Sequence, residues 1–292
     1  MFVKKLLNKM RNFFYNAYLP VCYRMYSKNS FLNIDERSEY LVASITSFPA
    51  RIHTLHLTIE SLLRQSVKLD KIVVYLEKDK FESIEIPFKL NNLKKKGVEI
   101  VFVKENLRSH LKYFYAMQTY PDAIVMTFDD DIIYNPRVVE TLMTTHRMYP
   151  SSVVGTRCTR ILCDEKGVIL KYMRWKINDE TLSERPSFYC FPSGVGGVLY
   201  PPKALAQEAF CCSQIYALCP LADDIWLKTM ELLNGTSAVQ TKRKFKLVYI
   251  KNLQKGPTLV SKNIAQGDQE TQNDVQLKNI CRLYDLSRYF KI

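Results

Sequence analysis

The segment from Ala123 to Tyr134, AIVMTFDDDIIY, joins an apolar run to three consecutive aspartates. A short apolar run that ends in a polar cluster is typical of a buried strand that reaches the edge of a sheet. Carboxylates at the mouth of a low-dielectric core repel one another, and a bound divalent cation would offset that cost. Mg²⁺ and Mn²⁺ both accept hard oxygen ligands of this kind. The simpler alternative is an acidic turn before the next helix, since aspartate is common at helix starts.

Strand-like and helix-like patterns alternate in the first half of the chain. Apolar runs predict strands at 40–45, 71–76, 98–103 and 123–128. Apolar residues at helical spacing predict helices at 52–64, 111–120 and 138–149. This alternation predicts an α/β fold with a mixed, mostly parallel sheet and helices on both faces. Ligands of such sheets bind outside the carboxyl ends of the strands, so the loops at 46–51, 77–80 and 129–131 should share one crevice.

The second half of the chain is less regular. It contains a glycine-rich segment from Ser193 to Gly197, an apolar run at 198–200, a helix predicted from about Lys203 and a strand predicted at 245–250. Asp223 and Asp224 begin an apolar stretch, where two acids favour a helix N-terminus. Because neighbouring carboxylates raise each other's pKa, the pair also suits a general base. The two interpretations are compatible, since the helix would aim the carboxylate.

Residues 1–19 form a basic amphipathic pattern. Apolar side chains recur every three to four residues, and the lysines and the arginine fall largely outside that stripe. The pattern predicts a helix that ends near Pro20, too short to span a bilayer and unlike a signal peptide. It fits either an interfacial helix on an anionic membrane surface or a helix packed on the protein's own core. We accordingly divide the chain into an arm of residues 1–36 and a domain of residues 37–292.

The composition is that of a globular protein with a strong basic excess. The chain has 292 residues, 47% of them hydrophobic, and a net charge of +13. Such an excess predicts anionic partners: lipid, pyrophosphate-bearing substrates or nucleic acid. No nucleic-acid-binding motif accompanies the basic clusters, so we expect no nucleic acid partner. Eight cysteines without a CxxC pair predict reduced thiols in a cytosolic protein, rather than a disulfide framework or a zinc site.

The order of these motifs resembles that of bacterial glycosyltransferases with the GT-A fold, particularly family 2-like enzymes of surface-polysaccharide (O-antigen, capsule or lipooligosaccharide) synthesis. TFDDDIIY at 127–134 matches their DxD motif, and SITSFPARI at 44–52 looks like their first-strand donor loop. LADDIWL at 221–227 looks like their xED element. The resemblance covers roughly two-thirds of the chain and implies a GT-A (Rossmann-like) fold with an N-terminal amphipathic helix added.

The resemblance also implies roles for the aspartates. Asp131 would bind Mn²⁺ or Mg²⁺, with Asp129 as a second metal contact. Asp130 would contact the ribose or the sugar of the donor. Asp224 would be the catalytic base, and Asp223 its orienting partner or a contact to the donor sugar.

A wider donor-binding set follows from the same resemblance. It comprises Thr46, Ser47, Arg51, Glu77, Lys112, Asp129, Asp130, Gly196 and Gly197. Thr46 and Ser47 would meet the uracil or ribose. Arg51 and Lys112 would meet the diphosphate, the alternative being solvated surface charges. Glu77 stands where many relatives carry an aspartate, which leaves the nucleotide open. The glycines would lie near the donor sugar, the alternative being a tight turn before a strand.

We therefore expect a metal-dependent glycosyltransferase that moves a sugar from a nucleoside diphosphate donor, with UDP-sugars as first candidates, to a lipid-linked or growing glycan acceptor. Some retaining relatives in the family that the chain resembles carry a late metal-binding histidine. No histidine follows His146 here, so the resemblance favours inversion over retention. The expected location is cytoplasmic, peripheral on the inner face of the plasma membrane. The alternatives are a retaining glycosyltransferase or a nucleotidyltransferase on the same fold, a non-catalytic carbohydrate- or lipid-binding protein, and a basic nucleic-acid binder.

Overall fold

The computed structural model describes residues 2–25, 30–177, 179–250 and 271–290. The strands are β1 (Leu41–Thr46), β2 (Lys71–Glu77), β3 (Glu99–Val103), β4 (Ile124–Phe128), β5 (Ile132–Ile133), β6 (Val153–Gly155), β7 (Cys158–Arg160), β8 (Lys176–Ile177), β9 (Cys190–Pro192), β10 (Val198–Tyr200), β11 (Ala238–Gln240) and β12 (Val248–Tyr249). The α-helices are α1 (Phe2–Met25), α2 (Leu55–Leu63), α3 (Lys78–Phe81), α4 (Phe88–Asn91), α5 (Leu111–Thr119), α6 (Val138–Met148), α7 (Cys212–Leu218), α8 (Asp223–Leu233) and α9 (Gln272–Leu283).

A seven-stranded sheet in the order β11-β6-β10-β4-β1-β2-β3 forms the centre of the fold. β10 runs antiparallel to both of its neighbours, and every other pair in this sheet is parallel. The register places Ile45 of β1 beside Phe128 of β4, so these two strands end level with each other. The loop after β1 therefore lies next to the three aspartates that follow β4. The predicted mixed, mostly parallel sheet is confirmed.

Helices cover both faces of the sheet because the strands alternate their side chains between two apolar cores. Val42 of β1 and Val125 of β4 belong to a core that includes Trp226 of α8 and residues of α5. Ala43 and Met126, one position along, belong to a second core with residues of α2 and α6. The predicted arrangement of helices on both faces is therefore also confirmed.

A short ladder extends the acidic segment beyond the main sheet. β5 begins directly after Asp131 and pairs antiparallel with β12, with Tyr249 opposite Ile132. The backbone N–H of Ile250 donates to the carbonyl oxygen of Asp131 at 2.9 Å. A chain segment from near residue 250 thus holds the backbone of the third aspartate.

The four strands and three helices predicted between residues 40 and 149 lie within three residues of their predicted bounds, while the short α3, α4 and β5 were not predicted. Two second-half predictions need correction. The helix predicted from about Lys203 is wrong. Pro201 and Pro202 precede that residue, and its backbone is left-handed with φ 60°. Helical structure resumes only at a 3₁₀ turn, Gln207–Phe210, and at α7. The strand predicted at 245–250 is reduced to the two residues of β12. All eight cysteines lie in the described ranges as free thiols, and three of them, Cys158, Cys190 and Cys219, are buried.

The N-terminal helix is longer than predicted and is docked on the rest of the protein. α1 continues through Pro20 to Met25, so the predicted end near Pro20 is wrong. Proline removes one backbone hydrogen-bond donor from a helix, and tertiary packing can stabilise the helix enough to offset that loss. Arg64 donates to the carbonyl oxygen of Tyr23 at 2.7 Å, and its guanidinium lies 4.7 Å from the centre of the Tyr23 ring. Within the part of the chain that the structure describes, no helix is both long and apolar enough to cross a membrane.

Candidate active site

The three aspartates after β4 differ in their exposure. Asp130 is buried, while the side chains of Asp129 and Asp131 are 29% and 23% exposed. Burial raises the pKa of Asp131 to about 6, with a further contribution from the charge of Asp129 and partial compensation by Arg51. Asp129 and Asp131 therefore lie close enough to repel each other beyond the carboxyl end of β4.

The loop after β1 holds the middle aspartate. Ser47 Oγ and Arg51 Nη1 donate to the two carboxylate oxygens of Asp130, each at 2.6 Å. Arg51 Nη1 also lies 3.1 Å from Asp131 Oδ2. Burial raises the pKa of Asp130, although Arg51 and Ser47 act against this rise. Asp130 thus uses both of its carboxylate oxygens within the protein and fixes Arg51 beside Asp131.

Lys112 of α5 joins the two acidic groups that the sequence predicted separately. Its ammonium is buried and lies 2.9 Å from Asp129 Oδ1 and 2.8 Å from Asp223 Oδ2. Burial alone would lower the pKa of Lys112, but Asp129, Asp223 and Asp224 outweigh it and raise that pKa well above its usual value. Lys112 is therefore a permanent cation at the point where the two acidic groups meet.

Asp223 and Asp224 begin α8, as the sequence predicted. Burial would raise the pKa of Asp223, but Lys112 outweighs it and holds that pKa below its usual value. Burial and the charge of Asp223 raise the pKa of Asp224 to about 7. The backbone N–H of Gly194 donates to both carboxylate oxygens of Asp224 at 3.2 Å. Asp224 can therefore take up or release a proton near neutral pH.

Gly194, which the sequence analysis did not single out, lies between these charged groups. A Cβ added at this position would lie 2.8 Å from Lys112 Nζ and 3.2 Å from the nearest carboxylate oxygens of Asp129 and Asp224. A side chain larger than hydrogen would therefore displace at least one of them. The signal in the sequence was the glycine run itself, which does not reveal which of its members faces the aspartates.

Gly196 and Gly197, which belong to the predicted donor-binding set, pack closely against other residues of the protein. A Cβ at Gly196 would lie 2.5 Å from the hydroxyl of Thr156. A Cβ at Gly197 would lie 2.7 Å from the ring of Phe128, and its φ of 86° favours glycine. These two glycines shape the turn that leads into β10, and their contact with the donor sugar stays a prediction.

Thr46 and Glu77 lie at the carboxyl ends of β1 and β2, and their polar contacts within the described residues go to groups other than the aspartates. Thr46 Oγ1 donates to the carbonyl oxygen of Tyr75 at 2.9 Å. Glu77 is buried and forms an ion pair with Lys80. The loops after β1 and β4 thus meet directly, while the loop after β2 lies beyond β1.

Three further residues near the site had no signal in the sequence. Arg157 lies between β6 and β7, and its carbonyl oxygen accepts from the backbone N–H of Ser193 at 2.9 Å. Burial raises the pKa of Tyr172 to about 12, Asp224 contributes to that rise, and Arg157 opposes it. Burial also raises the pKa of Tyr249, again against Arg157 and with Asp131 contributing. The charge of Arg157 thus acts on the phenols of Tyr172 and Tyr249, whose pKa values the two acidic groups also influence.

The residues fit a divalent cation only in part. Within the described ranges, no three His, Cys, Asp or Glu side chains are grouped closely enough to hold a metal ion by themselves. Asp129 and Asp131 do present partly exposed, mutually repelling carboxylates beyond the carboxyl end of β4. Mg²⁺ is commonly bound by one or two carboxylates, with water and substrate phosphates completing its shell. These two carboxylates thus fit a metal ion whose remaining ligands come from a phosphate-bearing molecule.

No protein-family model and no curated protein sequence matches the chain. Among solved structures, it is similar to a CMP:2-keto-3-deoxy-manno-octonic acid synthetase in complex with CTP, at 13% identity over 71% of this chain and 91% of that one, with a TM-score of 0.41. A UTP-bound UGPase from Acinetobacter baumannii is similar at 9% identity over 70% and 86% of the two chains, with a TM-score of 0.38.

A glucosyl-3-phosphoglycerate synthase from Mycobacterium tuberculosis, in complex with Mn²⁺, UDP and glucosyl-3-phosphoglycerate, is similar at 13% identity with a TM-score of 0.32. The match covers 40% of this chain and 43% of that one, so the chain spans less than half the length of that enzyme. TM-scores below 0.5 are too low to assign the activity of any of these neighbours to this chain.

Proposed function

We propose that the chain is a metal-dependent glycosyltransferase that uses a nucleoside diphosphate sugar. The observation that carries this proposal is the convergence of two acidic groups on one buried ammonium, Lys112. One group follows a central parallel strand and keeps two carboxylates partly exposed. The other begins a helix and contains a carboxyl with a pKa of about 7. These are the parts that a sugar transfer needs: a place for the diphosphate's cation and a base for the acceptor hydroxyl.

Asp129 and Asp131 would hold the Mn²⁺ or Mg²⁺ ion. When bound, this ion would neutralise the charge that develops on the leaving diphosphate. Arg51 is fixed beside Asp131 by Asp130, so we assign Asp130 to positioning that guanidinium. Within the described residues Arg157 forms no ion pair with a carboxylate, which leaves its charge for an anionic group of the substrate.

Asp224 would act as the general base. A carboxyl with a pKa of about 7 is half ionised at neutral pH and retains a strong affinity for the proton of an attacking hydroxyl. The Gly194 N–H orients the carboxylate, and Asp223 holds Lys112 in place. Direct attack by the acceptor hydroxyl inverts the anomeric carbon, and we therefore propose inversion.

The donor would be a UDP-sugar, with Thr46, Ser47 and Glu77 at the ends of β1 and β2 as the nearest groups for its base and ribose. The acceptor would be a lipid-linked or growing glycan of a bacterial surface polysaccharide. Both assignments rest on the resemblance of the motifs and on the position of these residues along the carboxyl edge of the sheet.

The proposal is tested by thermal denaturation with UDP-sugars, with and without Mn²⁺. A ligand that binds only the folded state stabilises it by RT ln(1 + [L]/Kd), about 2.7 kcal/mol at roughly 100 times Kd. For the natural chain, we expect stabilisation only when the UDP-sugar and Mn²⁺ are both present. Asp131→Asn should lose it because one metal ligand loses its charge. Asp122→Asn, an exposed aspartate at the opposite end of β4, should keep it.

A parallel assay separates glycosyl transfer from nucleotidyl transfer. Release of UDP from a UDP-sugar on addition of acceptor supports the proposal. Release of pyrophosphate from a nucleoside triphosphate and a sugar phosphate would identify a nucleotidyltransferase instead. If no nucleotide stabilises the protein in a metal-dependent way, the proposed function is wrong.

A further inference from the structure

The outward face of α1 is apolar. Met10, Phe14, Val21 and Met25 are 61%, 61%, 55% and 69% exposed. At about 100° per residue, these four positions fall within roughly 60° of one another around the helix. A helix on the surface of a protein usually turns its polar face outward. α1 does the reverse, and contiguous exposed apolar surface marks an interaction site.

Contacts on the other side of α1 fix this orientation. Asn16 Nδ2 donates to the carbonyl oxygen of Tyr249 at 2.9 Å, and Arg64 donates to the carbonyl oxygen of Tyr23 at 2.7 Å. Asn12, Tyr15 and Asn16 are half-buried, whereas the apolar stripe is exposed. Leu19 and Cys22 are half-buried on the same side, so the helix is seated on the domain through a mixed polar and apolar side. The exposed apolar stripe is left for another partner.

The charge of the helix indicates which partner. The sequence of α1 contains five lysines and arginines (Lys4, Lys5, Lys9, Arg11 and Arg24) and no aspartate or glutamate. Basic residues near a surface of anionic lipid each contribute about 1 kcal/mol to binding, and aromatic and aliphatic side chains enter the headgroup boundary. A second copy of the chain would present the same positive charge and would be repelled.

We propose that the outward face of α1 binds the headgroup region of an anionic bilayer. The geometry also places the candidate active site next to that bilayer. Tyr249, whose carbonyl oxygen accepts from Asn16, lies on β12, which pairs with β5 directly after Asp131. The acidic segment is thus one strand away from the bound helix. A lipid-borne acceptor would meet the site there, a consequence that rests on the proposed function.

The test is sedimentation of the full chain with vesicles of phosphatidylcholine, alone or mixed with phosphatidylglycerol. We expect the natural chain to sediment with the mixed vesicles only, and less so as salt is raised. The double variant Met10→Glu/Phe14→Glu should bind at least about ten-fold more weakly, because it removes two large apolar side chains and adds two negative charges. The matched control Phe88→Glu/Met148→Glu changes the same residue types at exposed positions elsewhere and should bind normally.

Equal binding by the two double variants, or no binding by the natural chain, would overturn the proposal. Light scattering adds a further outcome: if Met10→Glu/Phe14→Glu converts a dimer to a monomer and leaves vesicle binding unchanged, the face joins two copies and the proposal is wrong. Metal-dependent stabilisation by UDP-sugars is measured without vesicles. Vesicle binding can therefore fail while the proposed function stands, and the reverse.

Discussion

Asp223 and Asp224 are neighbours with the same chemistry, yet their pKa values shift in opposite directions. Burial acts on both carboxyls. Asp223 lies 2.8 Å from the ammonium of Lys112, which favours its charged form. Asp224 accepts a hydrogen bond from the backbone N–H of Gly194 and is repelled by the charge of Asp223. It therefore retains its proton to higher pH. Their different surroundings thus make Asp223 a charged partner of Lys112 and Asp224 a proton acceptor.

The raised pKa of Asp224 gives a prediction about pH. The rate constant kcat/KM should rise with pH up to about 7 and level off above it, because a general base acts only when ionised.

Asp224 binds its proton more tightly in the folded than in the unfolded chain, so its contribution to stability falls as pH rises from 3.8 to about 7. Initial rates and calorimetry across that range measure the two effects.

Asp224→Asn should lower turnover by about 10²- to 10⁴-fold while metal-dependent donor binding is retained. The variant should also lose the rise of kcat/KM with pH, since the titrating group is gone. Turnover and thermal stabilisation by the donor are measured on the same preparation. Full turnover in this variant would rule out Asp224 as the base.

Gly194→Ala tests the space between the charged groups. The added Cβ would lie 2.8 Å from Lys112 Nζ, so we expect activity to fall about ten-fold or more as the charged groups shift apart. Gly235→Ala is the control. That glycine has φ 69° and no neighbour within 4 Å of an added Cβ, so this change should cost about 1 kcal/mol of stability and leave activity unchanged. The same response from both variants would argue against a role for Gly194 in the site.

At the scale of elements, Lys112 ties α5, from the first half of the chain, to α8, from the second. Lys112→Met should lower the free energy of unfolding by about 3–5 kcal/mol at pH 7, because it leaves Asp223 buried without its partner. The loss should shrink at low pH, where Asp223 becomes protonated. Donor binding should also weaken.

Lys228→Met provides the control for that variant. Lys228 and Glu231 form another buried ion pair within α8, at 3.0 Å, whose residues are distinct from the candidate site. This variant should lose similar stability in urea denaturation and keep metal-dependent donor binding. If both variants keep donor binding, Lys112 is a structural residue only.

The sequence predicted some elements well and others poorly for a physical reason. β1 to β4 carry five to seven residues each, so their apolar runs are long enough to stand out. β1, β2 and β4 are largely buried, whereas in β3, at the edge of the sheet, only Val103 is buried. β6 and β9 have three residues each, and such short strands depend on neighbours that are distant in the chain. The apolar spacing after Lys203 predicted a helix. Spacing carries no information about the backbone angles of a single residue, and Lys203 is left-handed.

The candidate site was predicted in its acidic parts and missed in its connections. Three adjacent aspartates after a strand, and two at a helix start, are visible as patterns. That Lys112 reaches both groups and that Asp130 turns inward depends on tertiary packing. Arg157 is one of 42 lysines and arginines and belongs to no motif, so only the structure distinguishes it. The metal and donor assignments remain predictions.

At the scale of the whole molecule, a chain with a net charge of +13 gathers five aspartates around the two cations Lys112 and Arg51. The basic surface would attract anionic substrates and lipid from a distance, with a strength that depends on salt. We therefore predict that this acidic site needs a further cation before it accepts a diphosphate. This contrast supports a metal-dependent encounter with an anionic donor.

The position of the boundary between arm and domain gives a prediction for the whole chain. Residues just before 36 bond to the domain: Asn33 donates to Leu69 at 2.7 Å through its backbone and to Asp70 at 2.7 Å through its side chain. A chain that begins at residue 30 should therefore be more stable than one that begins at 37, by about 1 kcal/mol for each bond kept. Urea denaturation compares the two, and equal stability would place the boundary at 36/37.

The antiparallel direction of β10 makes the chain between Gly194 and Val198 intolerant of a change in length. β10 runs back along β4 with Val198 opposite Thr127, so this turn enters the sheet at the edge where β4 leaves it. One inserted residue would slide the turn by about 3.3 Å and invert which face each side chain occupies. Gly194 would then leave Asp129 and Asp224. Homologous chains that share this chemistry should vary freely in loop length elsewhere but keep this spacing constant.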